Sequence, residues 1–274
     1  MTYEQILYDV ADGIATVTLN RPERLNAWTM RMGAEVRHAL CRADDDAGVR
    51  VMIVTGAGKG YCAGADMDML QGVQRGGSGP GDTGNIPVPH LDPSLPEAFR
   101  GEYSYPLGLR KPVIAAVNGV AAGLGLSYML YYDIRLASDR ARFATIFSRR
   151  GLIAEHGTAW ILPRLIGMAR ACDLLFSGRF VNAHEAAAIG LVNRVVEHDA
   201  LLSTAQEIAT EMATLCSPRS IRIMKRQLYG DLFTDLGTAL RTADAEMVAC
   251  FPTDDFREGV ASFLERRPPR FTGR

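Results

Sequence analysis

Cysteine is scarce and carries no pattern. Cys41, Cys62, Cys172, Cys216 and Cys250 are scattered along 274 positions, odd in number and without a C-x-x-C pair. That speaks against a disulfide framework or a cysteine-based zinc site and favours free thiols in a reducing compartment. The five histidines are dispersed as well, so no metal is expected. An excess of charge is also missing. The formal net charge of −1 leaves no electrostatic footprint for nucleic acid or an anionic membrane. The start, MTYEQILYDVADG, has neither the basic nor the apolar region of a secretory leader, so none is expected and a cytoplasmic location is. One uncharged run, VIAAVNGVAAGLGLSYMLYY at 113–132, has the length of a membrane span. Asn118, Gly119, Gly123 and Gly125 break it into a β-branched run, a turn and a helix start. A buried strand–turn–helix gives the same lack of charge.

What is present is ordinary for a globular chain: 47% apolar and 22% charged residues. ILYDV and IATVTLN, joined by Ala-Asp-Gly, read as a hairpin. A helical period follows over 29–43, through Met32, Val36, Ala39, Leu40 and Ala43. VRVMIVTGAG and KPVIAAVNG are apolar strands ending in glycine, and DIRLASD and LVNRVVE are shorter ones. Helical stretches near 67–74, 125–132, 170–176 and 183–189 separate them. Strands alternating with helices predict parallel pairing in a layered α/β core. Residues 75–96, rich in Gly, Pro and Ser, read as a long mobile loop. From 199 onward strand signals stop, and helices are expected over 199–215, 218–229, 235–248 and 254–265. That change of character divides the chain into 1–198 and an all-α 199–274.

Two segments share one design. GAGKGYCAGADMDML (56–70) and NGVAAGLGLSYML (118–130) each follow a buried strand and open a helix. Their small residues allow close approach to the backbone, and helix starts expose unpaired N–H donors. Two such ends facing one another form a site for developing negative charge. The phosphate-loop spacing GxxxxGK(S/T) is absent, and Tyr128 spoils a dinucleotide fingerprint after Gly123-x-Gly125. Tight strand–helix packing without a ligand is the other reading of each turn.

Residues 151–167, GLIAEHGTAWILPRLIG, put Glu155 and His156 into an otherwise apolar segment. Glu155 is either a helix-start carboxylate favoured by the N-terminal dipole or an acid/base whose pKa is raised by Leu152, Ile153 and Trp160. His156 either faces solvent or orients Glu155. Asp68 and Asp133 read as structural.

Taken together, GKGYCAGADM, KPVIAAVNG, AGLGLSYMLYYDIRLASDRARF, GLIAEHGTAWILPRLIG, LVNRVV and FREGVASFLERRPPRFTG resemble the enoyl-CoA hydratase/isomerase (crotonase) superfamily, in order from about residue 4 to 274. The resemblance implies an α/β fold, a spiral of ββα units (1–198) binding acyl-CoA. It also implies a C-terminal helical trimerisation region (199–274), a homotrimer or a dimer of trimers, and no cofactor beyond coenzyme A carried on the substrate. By resemblance, the backbone N–H groups of Ala65 and Leu124 form the oxyanion hole for the thioester oxygen. Such a donor contributes about 3–4 kcal/mol to the transition state. Arg24 and Leu25 match the family's early substrate loop. Lys59, Ala63, Asp66 and Met67 border the adenine and pantetheine path. Phe263 and Arg266 match tail positions that close over CoA from a neighbouring subunit. The alternatives for Lys59 and Arg266 are solvated charges, and for Phe263 helix packing.

The chain departs from the two-glutamate hydratases. Where they carry carboxylates it has Ser127 and Phe147. GLIAEHGT instead matches the G-L-x-x-E-x-x-(S/T) context of peroxisomal-type Δ3,Δ2-enoyl-CoA isomerases, with Glu155 at the base position. The expected activity is single-base proton transfer, with double-bond isomerisation the simplest case. The alternatives are hydration with Glu155 alone and a water on Ser127 or Tyr128, thioester hydrolysis or C–C cleavage, and an inactive acyl-CoA-binding homologue. Leu124, Leu126, Tyr128 and Phe147 are the pocket candidates and predict an apolar acyl group.

Overall fold

The computed structural model describes residues 2–76, 83, 84, 86, 87, 89 and 91–274. Ten strands run in chain order as β1 (Ile6–Ala11), β2 (Ile14–Leu19), β3 (Val51–Gly56), β4 (Gly60–Cys62), β5 (Val113–Val117), β6 (Val120–Ala122), β7 (Ile134–Ser138), β8 (Arg142–Ala144), β9 (Val181–Asn182) and β10 (Arg194–Val196). The helices are α1 (Met30–Asp45), α2 (Met67–Gln74), α3 (Leu124–Met129), α4 (Thr158–Ile166), α5 (Met168–Ser177), α6 (Ala183–Ala188), α7 (Leu201–Leu215), α8 (Pro218–Gly230), α9 (Leu236–Cys250) and α10 (Asp254–Glu265).

The strands form two sheets, ordered β1-β2-β3-β5-β7-β10 and β4-β6-β8-β9. β1 and β2 make the expected antiparallel hairpin. β3, β5 and β7 pair in parallel in the long sheet, while β4, β6 and β8 pair in parallel in the short one. Each unit therefore sends a long strand to one sheet and a three-residue strand to the other, which is the ββα spiral.

The long strands read as unbroken apolar runs because both faces of their sheet are covered. Met52 and Val54 of β3 enter one core cluster with Val113 and Ala115 of β5. The alternate residues Val51, Ile53, Ile114 and Ala116 pack with Leu201, Ala205 and Ala209 of α7. So α7, although beyond residue 199, is a layer of the sheet core. α8 is tied to that core through Asp133, whose carboxylate accepts from Lys225 Nζ at 2.7 Å and Tyr229 Oη at 2.8 Å, and from the Val113 N–H at 2.7 Å. α9 has no buried residue.

The expected helix positions hold to within a few residues. At 158–166 no helix is among the expected stretches except through Glu155 as a helix-start carboxylate, and α4 begins three residues after it with Pro163 inside. The short strands of the second sheet were hidden because three residues are too few to show a period. Residues 77–82, 85, 88 and 90 of the expected 75–96 loop lie outside the described residues. Among the described residues, no helix is long and apolar enough to cross a membrane.

Candidate active site

The two glycine turns lie side by side because β4 and β6 pair, with Cys62 opposite Ala121. The packing leaves no room for a side chain at Gly125, where a Cβ would stand 2.6 Å from the Cys62 Cβ, while Gly123 is called for by its backbone, at φ 50°. Trp28 fixes the first turn. Its N–H donates to the Gly64 carbonyl at 2.7 Å, and its carbonyl accepts from the Asp66 N–H at 2.9 Å. In extended backbone alternate residues point opposite ways, so Ala65 turns its N–H away from Trp28. In the second turn the Gly123 N–H donates to the Ala144 carbonyl at 2.9 Å. Leu124 then opens α3, and its N–H is one of the first-turn donors without a helical partner. Among the described residues neither the Ala65 nor the Leu124 N–H meets a backbone acceptor. Cys62 stands between the turns as an inert thiol, its pKa pushed up to about 12 by burial.

Around the first turn lies a rim of expected contact residues. Leu25 adopts the left-handed conformation at φ 49°, and its carbonyl accepts from the Ala63 N–H at 3.1 Å. Arg24, Leu25, Lys59 and Met67 are exposed there. Arg24 pairs with Asp68 at 3.4 Å. Asp66 is buried, and its carboxylate is committed: it accepts from Arg21 at 2.8 Å and from the Asp68 N–H at 2.9 Å. Burial would raise its pKa, but those hydrogen bonds outweigh it and hold the carboxyl below its usual range. What Asp66 offers a ligand is therefore backbone. Phe263 and Arg266 are exposed at the end of α10, where Phe263 borders a cavity with Phe256 and Phe271. Within one chain they stand among the C-terminal helices and not on this rim.

Glu155 precedes α4 by one turn, and its carbonyl accepts from the Thr158 N–H at 2.9 Å. Thr158 is fully buried and donates through Oγ1 to Ser127 Oγ on α3 at 2.7 Å. That contact ties the Glu155 loop to the helix that Leu124 opens. Its side chain is 31% exposed, with the carboxylate 3.7 Å from His156 Nε2. The apolar walls expected around it differ: Leu152 and Ile153 are 39% and 79% exposed, because the turn that carries Glu155 aims them outward. His156 is held at φ 53°, a strained conformation for a side chain with Cβ. Tyr131 Oη clamps it by donating to its carbonyl at 2.6 Å. Its ring lies 3.9 Å from that of Tyr103. Burial holds the imidazole below its ordinary pKa, although Glu155 and Glu102 pull the other way. At neutral pH its contact with Glu155 is therefore not an ion pair.

Ser127 and Tyr128 are not free to hold a water. Ser127 is 1% exposed, donates to the Gly123 carbonyl at 3.1 Å and accepts from Thr158. Tyr128 is 3% exposed and bonded to the Tyr105 hydroxyl. The expected pocket residues Leu124, Leu126, Tyr128 and Phe147 are buried, and none of them borders the cavity beside His156. The cavity beside His156 is instead lined by Glu102, Tyr103, Tyr131, Trp160 and Phe233. Trp160 and Phe233 stack at 5.1 Å with 9° between planes. Tyr103 and Phe233 were missed. The aromatic density of EYSYP at 102–106 was the available signal.

Comparison with known proteins agrees with this geometry. Residues 9–274 match the enoyl-CoA hydratase/isomerase family. The chain is 37% identical over 272 residues to 1,2-epoxyphenylacetyl-CoA isomerase of Escherichia coli, covering 99% of each chain. It is 35% identical to a Rhodobacter capsulatus protein named probable enoyl-CoA hydratase, over the full length of both. The crystal structure of an enoyl-CoA hydratase from Bacillus anthracis superposes with a TM-score of 0.84 at 31% identity, covering 99% of this chain and all of that one. Matched in sequence and in fold along nearly its whole length, the chain belongs to the enoyl-CoA hydratase/isomerase family and is an acyl-CoA enzyme of that type.

Proposed function

We propose that the protein moves a double bond within an enoyl-CoA, with Glu155 as the single acid/base. The carboxylate takes a proton from C2 of a 3-enoyl thioester. The electron pair spreads onto the thioester oxygen, where the N–H groups of Ala65 and Leu124 hold the dienolate. Glu155 then returns the proton at C4, and the double bond ends between C2 and C3. The observation that carries this reading is Ser127. At the position where two-glutamate hydratases keep a carboxylate, this chain has a buried hydroxyl whose hydrogen bonds are already made. Glu155 is partly exposed beside the acyl cavity. The isomerase name of the Escherichia coli relative points the same way.

Hydration is the second reading, and Glu102 gives it footing as another carboxylate bordering that cavity. NMR of a 3-enoyl-CoA and a 2-enoyl-CoA in D₂O separates the two. Wild type is expected to migrate the double bond and exchange α and γ protons, and Glu155→Gln to lose about 10²–10⁴ in rate. A 3-hydroxyacyl product alone would make the enzyme a hydratase. Released CoA would make it a hydrolase, and retained CoA binding without exchange a binding homologue.

The same proposal includes a homotrimer or a dimer of trimers. α9 buries nothing and exposes Leu236, Leu240 and Val248. α10 exposes Phe263 at 83% and Leu264 at 74%, and exposed apolar residues on neighbouring helices mark a surface for another chain. Sedimentation is expected at three or six times 29.8 kDa.

A further inference from the structure

We infer that the acyl group accepted by this site carries a flat ring, seated in the cavity lined by Tyr103, Tyr131, His156, Trp160 and Phe233. The inference rests on the reading of Glu155 and Leu124 as the reacting end of the site, since that is what makes the adjoining cavity the acyl end.

The cavity measures about 350 Å³. An apolar cavity of about 150 Å³ already admits benzene, so a substituted ring fits with room for its linker. Two pairs of planar side chains line it. Tyr103 and His156 lie 3.9 Å apart at 36°, and Trp160 and Phe233 lie 5.1 Å apart at 9°. Among the described residues, Ala98 and Leu107 are its aliphatic members. Aromatic walls reward a partner that offers a face or an edge at offset geometry. A linear alkyl chain offers neither, and it gives up freedom about every bond on being ordered. The walls are themselves preorganised: Phe233 also meets Phe99 edge-on at 5.7 Å, and Arg164 covers the Trp160 ring at 4.0 Å. Tyr131 is fixed by its bond to the His156 carbonyl. The position is also right, because His156 Nε2 stands 3.7 Å from the Glu155 carboxylate.

Calorimetric titration with three thioesters of equal acyl carbon number and no alkene to isomerise tests this without any turnover: phenylacetyl-CoA, cyclohexylacetyl-CoA and octanoyl-CoA. Phenylacetyl-CoA is expected to bind about fivefold or more tighter than octanoyl-CoA, with cyclohexylacetyl-CoA between them. Trp160→Leu and Tyr103→Leu should each shrink the preference to within about twofold while leaving the affinity for free CoA unchanged. Two variants are used so that a folding defect in one, seen as a lowered Tm, does not decide the result. Equal or tighter binding of octanoyl-CoA overturns the inference. So does a ring preference that survives both substitutions, because the ring would then sit elsewhere. Failure of the isomerase reading shows separately, as proton exchange that persists in Glu155→Gln while the ring preference stands.

Discussion

The amides at Ala65 and Leu124 hang from short strands whose neighbours are almost entirely buried, and each turn is held by the backbone of the other. Glu155 and the acyl cavity are made differently. Their parts come from residues 98–107, the segment just after α3, the loop before α4, the first turn of α4 and a single aromatic beyond α8, and much of that surface is open. The first half is a backbone device inside a rigid core. The second is a set of side chains mostly on connecting segments. Stabilising a thioester oxygen is common to every reaction on such a thioester, so its donors gain from being immovable. The identity of the acyl group is particular, and loops are where particular chemistry is varied.

The half proposed to hold the oxyanion breaks most sharply at Leu124, and next in scale to the loss expected of Glu155→Gln. Proline is tolerated at a first helical position, where its missing N–H has no helical partner to lose. Leu124→Pro is therefore expected to lower kcat by about 10²–10³. Leu124→Ala keeps the N–H and loses the same buried side chain. If the two variants share one kcat, the Leu124 amide is not a donor to the transition state.

Gly125→Ala tests the rigidity of that half by a different route. The added Cβ would meet the Cys62 Cβ at 2.6 Å and the Sγ at 2.7 Å, against a paired strand that has nowhere to go. Overpacking of this kind should cost about 3 kcal/mol. Denaturant midpoints read it. A midpoint unchanged from wild type would mean that the two turns yield independently.

The same contrast explains what could be read from the residues alone. β3 and β5 announce themselves as apolar runs, α2 and α10 by their period, and the two turns by glycines that no side chain can replace. All of these are local in the chain, whereas the naming of Ala65 and Leu124 as the donors within those turns came from the family resemblance. Local pattern does not carry the meeting of Tyr103 with His156, or of Phe233 with Trp160 across 73 positions. It also does not reveal that α7 covers the sheet, since an amphipathic helix has the same period whatever it packs on. Leu152 and Ile153 were expected to wall Glu155 on composition alone. Their direction depends on the turn after β8, where Gly151 sits at φ 69°.

Asp66 follows Ala65 in the first turn and holds Arg21 and the Asp68 N–H. Asp66→Asn is expected to lower stability at neutral pH by about 1.5–3 kcal/mol, the worth of a hydrogen bond to a charged group. Because the carboxyl is held below its usual pKa, that stability is present above the unfolded value of about 3.9 and is lost as pH falls through the folded one. Wild type and variant should therefore converge in Tm below about pH 4. A gap that stays constant with pH would mean that the charge of Asp66 contributes nothing.

The smallest effect is expected at His156, on the acyl half, and its smallness is informative. Asparagine accepts the left-handed backbone at this position, so His156→Asn keeps the turn that presents Glu155 and removes the ring against Tyr103. If Glu155 alone moves the proton, kcat for exchange stays within about threefold, under 1 kcal/mol in the barrier. The stability profile changes shape instead. Burial keeps the folded imidazole below its ordinary pKa, so as pH falls below about 6.5 the unfolded chain takes up the proton first and wild type loses stability. The variant should show a flatter profile across that window. A hundredfold fall in kcat with an unchanged profile would instead put His156 on the proton's path and end the single-base account of the site.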